Sequence, residues 1–70
     1  MNSEKRKELI LLHLVNADEY VTALELSRKL DVSTKTIYRL VEKINDDYSN
    51  GKLIHSRRGS GYKLNYEKYL

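Results

Sequence analysis

The chain has 70 residues, 13 basic and 10 acidic, giving a net charge of +3, with no cysteine and no proline. That length allows one domain with a small core, excludes a two-domain enzyme with an interdomain cleft, and leaves little room for a deep pocket of ~300 Å³ or more. The absence of cysteine excludes a disulfide framework, a thiolate metal site and a cysteine nucleophile, and it favours a reducing, cytoplasmic setting over a small secreted scaffold.

A first helix is expected over about residues 3–15. Ser3 can accept hydrogen bonds from the first-turn amides, and Glu4 suits the positive helix end. Leu9, Ile10, Leu11, Leu12, Leu14 and Val15 are apolar nearly all round, which predicts enclosure on more than one side. The longest apolar run, Leu9 to Leu12, ends at His13, well short of the ~18 residues of a membrane span. No small-residue cleavage site follows it, so no signal peptide is read. His13 reads as a packed or edge-facing histidine.

Asn16 to Glu19 is a polar break, and Tyr20-Val21 can form a short extended piece. Thr22-Ala23-Leu24-Glu25 has the capping-box form, with Thr22 capping the Glu25 amide and Glu25 reaching back. A second helix follows over about 23–30, with Ala23, Leu26 and Leu30 inward and Arg28 and Lys29 in the last turn. After Asp31-Val32, Ser33 starts a third helix. Its apolar positions Ile37, Leu40, Val41 and Ile44 repeat at i, i+3, i+4, i+7, and Thr34, Lys35, Tyr38, Arg39 and Glu42 face away. It is expected to end near Asp47 or Tyr48.

Ser49-Asn50-Gly51 is the strongest turn signal. Two short strands within residues 52–64 should follow, joined by the loop Arg57-Arg58-Gly59-Ser60-Gly61. Leu53 and Ile54 should point to opposite faces, and Tyr62 and Leu64 should share one. In the tail, 65–70, Tyr66, Tyr69 and Leu70 fit either a partial helical turn or a packing strap.

The positive charge is concentrated in the second half. Residues 1–32 hold five bases against six acids, whereas residues 33–64 hold seven against three, and 52–64 contain no acid. Two short helices three residues apart, the second amphipathic with a basic outer face, follow the helix-turn-helix plan. The plan requires Leu26, Leu30, Val32, Ile37, Leu40 and Val41 to face inward. It also requires a small residue where the helices come closest, and Ser27 stands there.

Three stretches carry a family resemblance. Leu24-Glu25-Leu26-Ser27 resembles the helix-two pattern of the type-11 helix-turn-helix domain, with Ser27 in place of the small Ala. Val32-Ser33-Thr34-Lys35-Thr36-Ile37-Tyr38-Arg39 is similar to its recognition-helix start, and Gly51-Lys52-Leu53-Ile54 with Gly59-Ser60-Gly61-Tyr62-Lys63-Leu64 is similar to its wing. The family occurs at the N-termini of sugar-responsive transcription regulators, deoxyribose-operon-type repressors and the biotin ligase that doubles as a repressor. Asp31 departs from it, standing where the family usually has Gly. Asp tolerates the same left-handed geometry. The resemblance implies an α+β, mostly α, winged helix-turn-helix over residues 1–70. The helix-turn-helix would span about 22–48 and the wing about 52–64, with a recognition helix (33–47) that reads bases and a basic wing (55–61) that grips flanking phosphate or minor groove.

The residues point to the same candidates. Ser33, with the amides of Thr34 and Lys35, can hold a phosphate at the helix start. Lys35 and Arg39 lie four apart on the exposed face, and Arg39 can either pair with guanine or bridge to Glu42. Thr34 and Thr36 offer hydroxyls and methyls, and Tyr38 is either a groove contact or a half-buried spacer. Thr22, Lys43 and Ser60 complete the set. Arg57 and Arg58 at a glycine-flanked tip have little to pack against, and Gly59 and Gly61 would let the backbone approach DNA closely. Tyr62 reads as a core residue that holds the wing to the third helix.

No carboxylate pair, Ser-His-Asp set or metal cluster is legible, so no catalytic residue, metal or cofactor is expected. An RNA-binding module should show aromatics interleaved on strands, and only Tyr62 falls on one. The partner expected is double-stranded DNA. The alternatives are a winged helix that binds protein, or a phage excisionase or replication-initiator type of DNA-binding protein. One such module is small for a DNA site, so a homodimer or a missing C-terminal effector domain is expected, the second implying a truncated chain.

Overall fold

A computed structural model of the chain describes residues 2–48 and 51–66. Its elements run α1 (Ser3–Val15), α2 (Ala23–Leu30), α3 (Thr34–Asp47), β1 (Ile54–Arg57) and β2 (Gly61–Leu64). Each helix begins where a polar side chain can take up an orphan first-turn amide. Thr22 Oγ1 accepts from the Glu25 N–H at 3.1 Å, and Ser33 Oγ accepts from the Thr36 N–H at 3.1 Å. The reciprocal Glu25 bond of a capping box is not made among the described residues. At α1 the cap is Asn2, not Ser3: Asn2 Oδ1 accepts from the Lys5 N–H at 2.9 Å, and Ser3 is the first helical residue. With the helix starting at Ser3, the capping position falls on Asn2.

The turn between α2 and α3 closes through Asp31, the one non-glycine residue with positive φ among those described (φ 56°, ψ 49°). Its left-handed geometry lets the Val32 N–H turn back to the Ser27 carbonyl at 3.0 Å. The Asp in place of Gly therefore preserves the turn. Ser27 is buried where α2 meets the core, and its Oγ donates to the Leu24 carbonyl at 2.7 Å, so the small polar side chain brings no unsatisfied hydroxyl with it.

The core draws on every element. Ile10, Leu14, Leu26, Ile37 and Ile54 are its largest fully buried side chains, joined by Leu30, Leu40, Val41, Ile44, Leu53, Tyr62 and Leu64. Val32 is only half-buried. The expectation that α1 is enclosed on several sides fails. Ile10 and Leu14 are buried, Leu9, Leu11 and Val15 are half-buried, and Leu12 is 56% exposed. Among the described residues no element covers the outer side of α1 at Leu12.

β1 and β2 pair antiparallel, with Ile54 opposite Leu64 and Arg57 opposite Gly61. Tyr62 and Leu64 share the buried face, as their spacing requires. Leu53 and Ile54 are both buried, against the expected alternation. Leu53 precedes the strand, so it is not bound by the strand's period, and its carbonyl accepts from the Asn65 N–H at 2.8 Å. The extended piece at Tyr20-Val21 becomes a third strand position. Val21 and Tyr62 exchange both backbone hydrogen bonds, at 2.8 and 2.7 Å. Ser49 and Asn50 of the expected turn, and Tyr69 and Leu70 of the tail, lie outside the described residues. The Tyr66 hydroxyl lies 3.1–3.3 Å from the carbonyls of Leu14, Val15 and Ala17, against the end of α1.

Candidate nucleic-acid interface

Two connections fix the hairpin against the helices. Asn45, on the last turns of α3, grips the backbone of Ile54 from both sides. Its Oδ1 accepts from the Ile54 N–H at 2.9 Å, and its Nδ2 donates to the Ile54 carbonyl at 3.2 Å. A side-chain amide thus does the work of a neighbouring strand and ties β1 to α3. The second connection is the Val21–Tyr62 bridge, which ties β2 to the start of α2. The position of the wing relative to α3 is therefore set by hydrogen bonds and shared core.

That placement creates an open groove lined by Thr22 and Ala23 of the α2 start, Tyr38 of α3, and Ser56, Arg57, Gly59, Ser60, Gly61 and Tyr62 of the hairpin. Tyr38 is 55% exposed and forms the α3 wall of this groove. Tyr62 is buried beneath the groove. Burial pushes its phenol pKa above 10.0, and the neighbouring Tyr38 adds to the rise.

Elsewhere on α3, Lys35, Arg39 and Lys43 are exposed, and Thr34 and Thr36 are half-buried. The amides of Thr34 and Lys35 have no acceptor among the described residues. The Ser33 hydroxyl is engaged as the cap and lies 3.0 Å from Thr36 Oγ1, so those two hydroxyls are committed to each other. Arg39 makes no bridge to Glu42. It borders a separate shallow surface with Glu42, Lys43 and Asp46. Among the described residues the ion pairs are those of Lys7 with Glu4 (2.9 Å) and with Asp47 (3.0 Å), which staple α1 to the end of α3 and hold the Lys7 pKa above its usual value. Lys35, Arg39, Lys43 and Arg58 therefore carry unpaired positive charge.

The wing differs from the expectation in two particulars. Arg58 does stand in the exposed turn, residues 58–60, which the Ser60 N–H closes onto the Arg57 carbonyl at 3.0 Å. Arg57 instead belongs to β1, and its guanidinium carbon lies 5.7 Å from the centre of the Tyr20 ring, so it has a packing partner. Gly61 also has a different role. A Cβ there would meet the Val21 carbonyl oxygen at 2.3 Å and Thr22 Cα at 2.7 Å, and its φ is +111°. The close approach at Gly61 is to the chain's own backbone. Gly59, with φ +83° and nothing within 4 Å of its Cβ direction, stands at the open tip. Tyr20 and Asn45 were not legible as site residues, because each acts through a partner more than eight positions away in sequence.

Three helices followed by a two-stranded antiparallel hairpin, with unpaired cations on the third helix and the hairpin tip, define a winged helix-turn-helix, a DNA-binding module. The sequence profile of the HTH domain family, type 11, matches residues 6–63, and the chain belongs to that family. Comparison with curated proteins and with solved structures returned no match. No helix among the described residues is long and apolar enough to cross a membrane.

Proposed function

We propose that this domain binds double-stranded DNA sequence-specifically and regulates transcription, as a cytoplasmic, non-catalytic module. The exposed face of α3 enters the major groove, where Arg39 and Lys35 reach base edges. The start of α3 and the basic wing meet phosphates or the minor groove on either side. The observation that carries this reading is the open groove lined by Thr22, Tyr38 and Ser60, together with unpaired Lys35, Arg39 and Lys43 exposed on α3 and unpaired Arg58 at the hairpin tip. A protein-binding winged helix would need acidic or apolar groups on these positions, and they are basic or hydroxylic.

The module measures 29 × 25 × 20 Å, less than the ~34 Å of one turn of duplex. One copy therefore reads a half-site at most. A second copy, or a C-terminal effector domain that pairs two copies, would supply the rest of the affinity.

The test is selection of duplexes from a random pool at two salt concentrations. The parent chain should return one motif at both. Arg39→Ala should relax one or two positions of that motif while keeping non-specific affinity. Failure to enrich any motif would reject sequence-specific binding, and an identical motif from Arg39→Ala would reject base reading by Arg39.

A further inference from the structure

The hairpin has a second cationic surface, on its face turned away from the helices. Ile54, Tyr62 and Leu64 turn inward, so the alternation places His55, Arg57, Gly61 and Lys63 outward. The antiparallel Val21–Tyr62 bridge then puts Tyr20 opposite Lys63 on that same outer face. Lys63 Nζ lies 5.8 Å from the centre of the Tyr20 ring, and the Arg57 guanidinium carbon lies 5.7 Å from it. Gly61, between them in the register, carries no side chain to obstruct Arg57.

Two like charges share one ring, and neither has a carboxylate partner among the described residues. A ring face attracts each cation but does not neutralise either. Such a pair lacks an anion, and a phosphodiester bridging two donors supplies one. We infer that Arg57 and Lys63, held by Tyr20, form a phosphodiester-binding pair on the outer face of the hairpin, so that the wing takes a DNA phosphate beyond those at its tip. Tyr20 is the positioning residue: its ring limits the rotamers of both cations before DNA arrives. The inference rests on the DNA-binding reading.

The experiment measures binding of the whole chain to a fluorescent duplex by anisotropy across a salt series. Lys63→Gln should lower the slope of log affinity against log salt by about 0.9, the value for one phosphate contact. Tyr20→Phe keeps the ring and should match the parent. Tyr20→Leu should bind about two- to fivefold more weakly, and that deficit should shrink when Lys63→Gln is already present. Far-UV circular dichroism melts of each variant separate loss of fold from loss of contact. If Tyr20→Leu melts early, Lys63→Gln decides the matter alone. An unchanged slope in Lys63→Gln, or equal binding by Tyr20→Phe and Tyr20→Leu in folded protein, overturns the pair. A parent chain that binds no duplex overturns the DNA-binding reading beneath it as well.

Discussion

Gly61→Ala should damage this fold far more than Gly59→Ala, although both glycines sit in the same short hairpin with positive φ. At Gly59 an added Cβ meets nothing within 4 Å, so the cost is backbone strain alone, about 1 kcal/mol. At Gly61 the Cβ would fall 2.3 Å from the Val21 carbonyl oxygen and 2.6 Å from its carbon. These are backbone atoms, and they cannot swing aside as a side chain would. The strands must separate, which weakens both hydrogen bonds of the Val21–Tyr62 bridge (2.8 and 2.7 Å). Strain of roughly 1–3 kcal/mol plus two hydrogen bonds at roughly 0.5–1.5 kcal/mol each gives a loss on the order of 2–6 kcal/mol. For a domain of this size that lowers the melting temperature by roughly 8–48 °C, against roughly 4–8 °C for Gly59→Ala. Thermal melts followed by far-UV circular dichroism measure both. A Gly61→Ala domain as stable as Gly59→Ala would show that the bridge from Val21 to the wing does not hold the sheet together.

Ser27→Leu should overfill the contact between α2 and the core and cost roughly 1–3 kcal/mol in urea denaturation; a neutral outcome would mean the helices are not closely packed there. The Tyr62 phenol, with its pKa raised by burial, favours the neutral form in the fold. The stability this gives is fully present below the unfolded value of about 10 and is lost as pH rises through the folded value. Tyr62→Phe should flatten the alkaline decline in melting temperature above pH ~10, and parallel pH profiles for the two proteins would refute it. Arg57→Ala with Arg58→Ala should weaken binding to every duplex and reduce the salt slope by ~1–2; unchanged affinity would remove the wing from the interface.

How much of this was legible in the sequence follows from the range of each interaction. α2 and α3 were readable to the residue at their starts because Thr22 and Ser33 cap amides three positions on, within one local turn. Their inner faces followed from an uninterrupted apolar repeat, and Ser27 from the need for a small side chain at the closest approach. The tight turn at Asp31 was readable because the residue type tolerates the left-handed region. The α1 cap was misplaced by one position because Asn2 and Ser3 are both good caps and only the helix geometry chooses between them. The exposure of Leu12 was misread because apolarity all round a helix says nothing about whether neighbours exist to cover it. The wing was recognisable from its glycines, but their roles were not. Gly61 is explained by Val21, forty positions earlier, and Arg57 by Tyr20. Asn45 carries no local sign that it will serve as a strand for Ile54. The candidate site is thus local along α3 and non-local everywhere else.

On the proposed function, the outer face of α3 and the hairpin tip hold one duplex together. Backbone amide shifts followed by NMR during titration with a selected duplex test it directly. Residues 33–39 and 57–61 should shift together and fit one dissociation constant, while the amides around Leu12 on the far side of α1 stay still. Shifts confined to one of those two patches, or centred on α1, would contradict it.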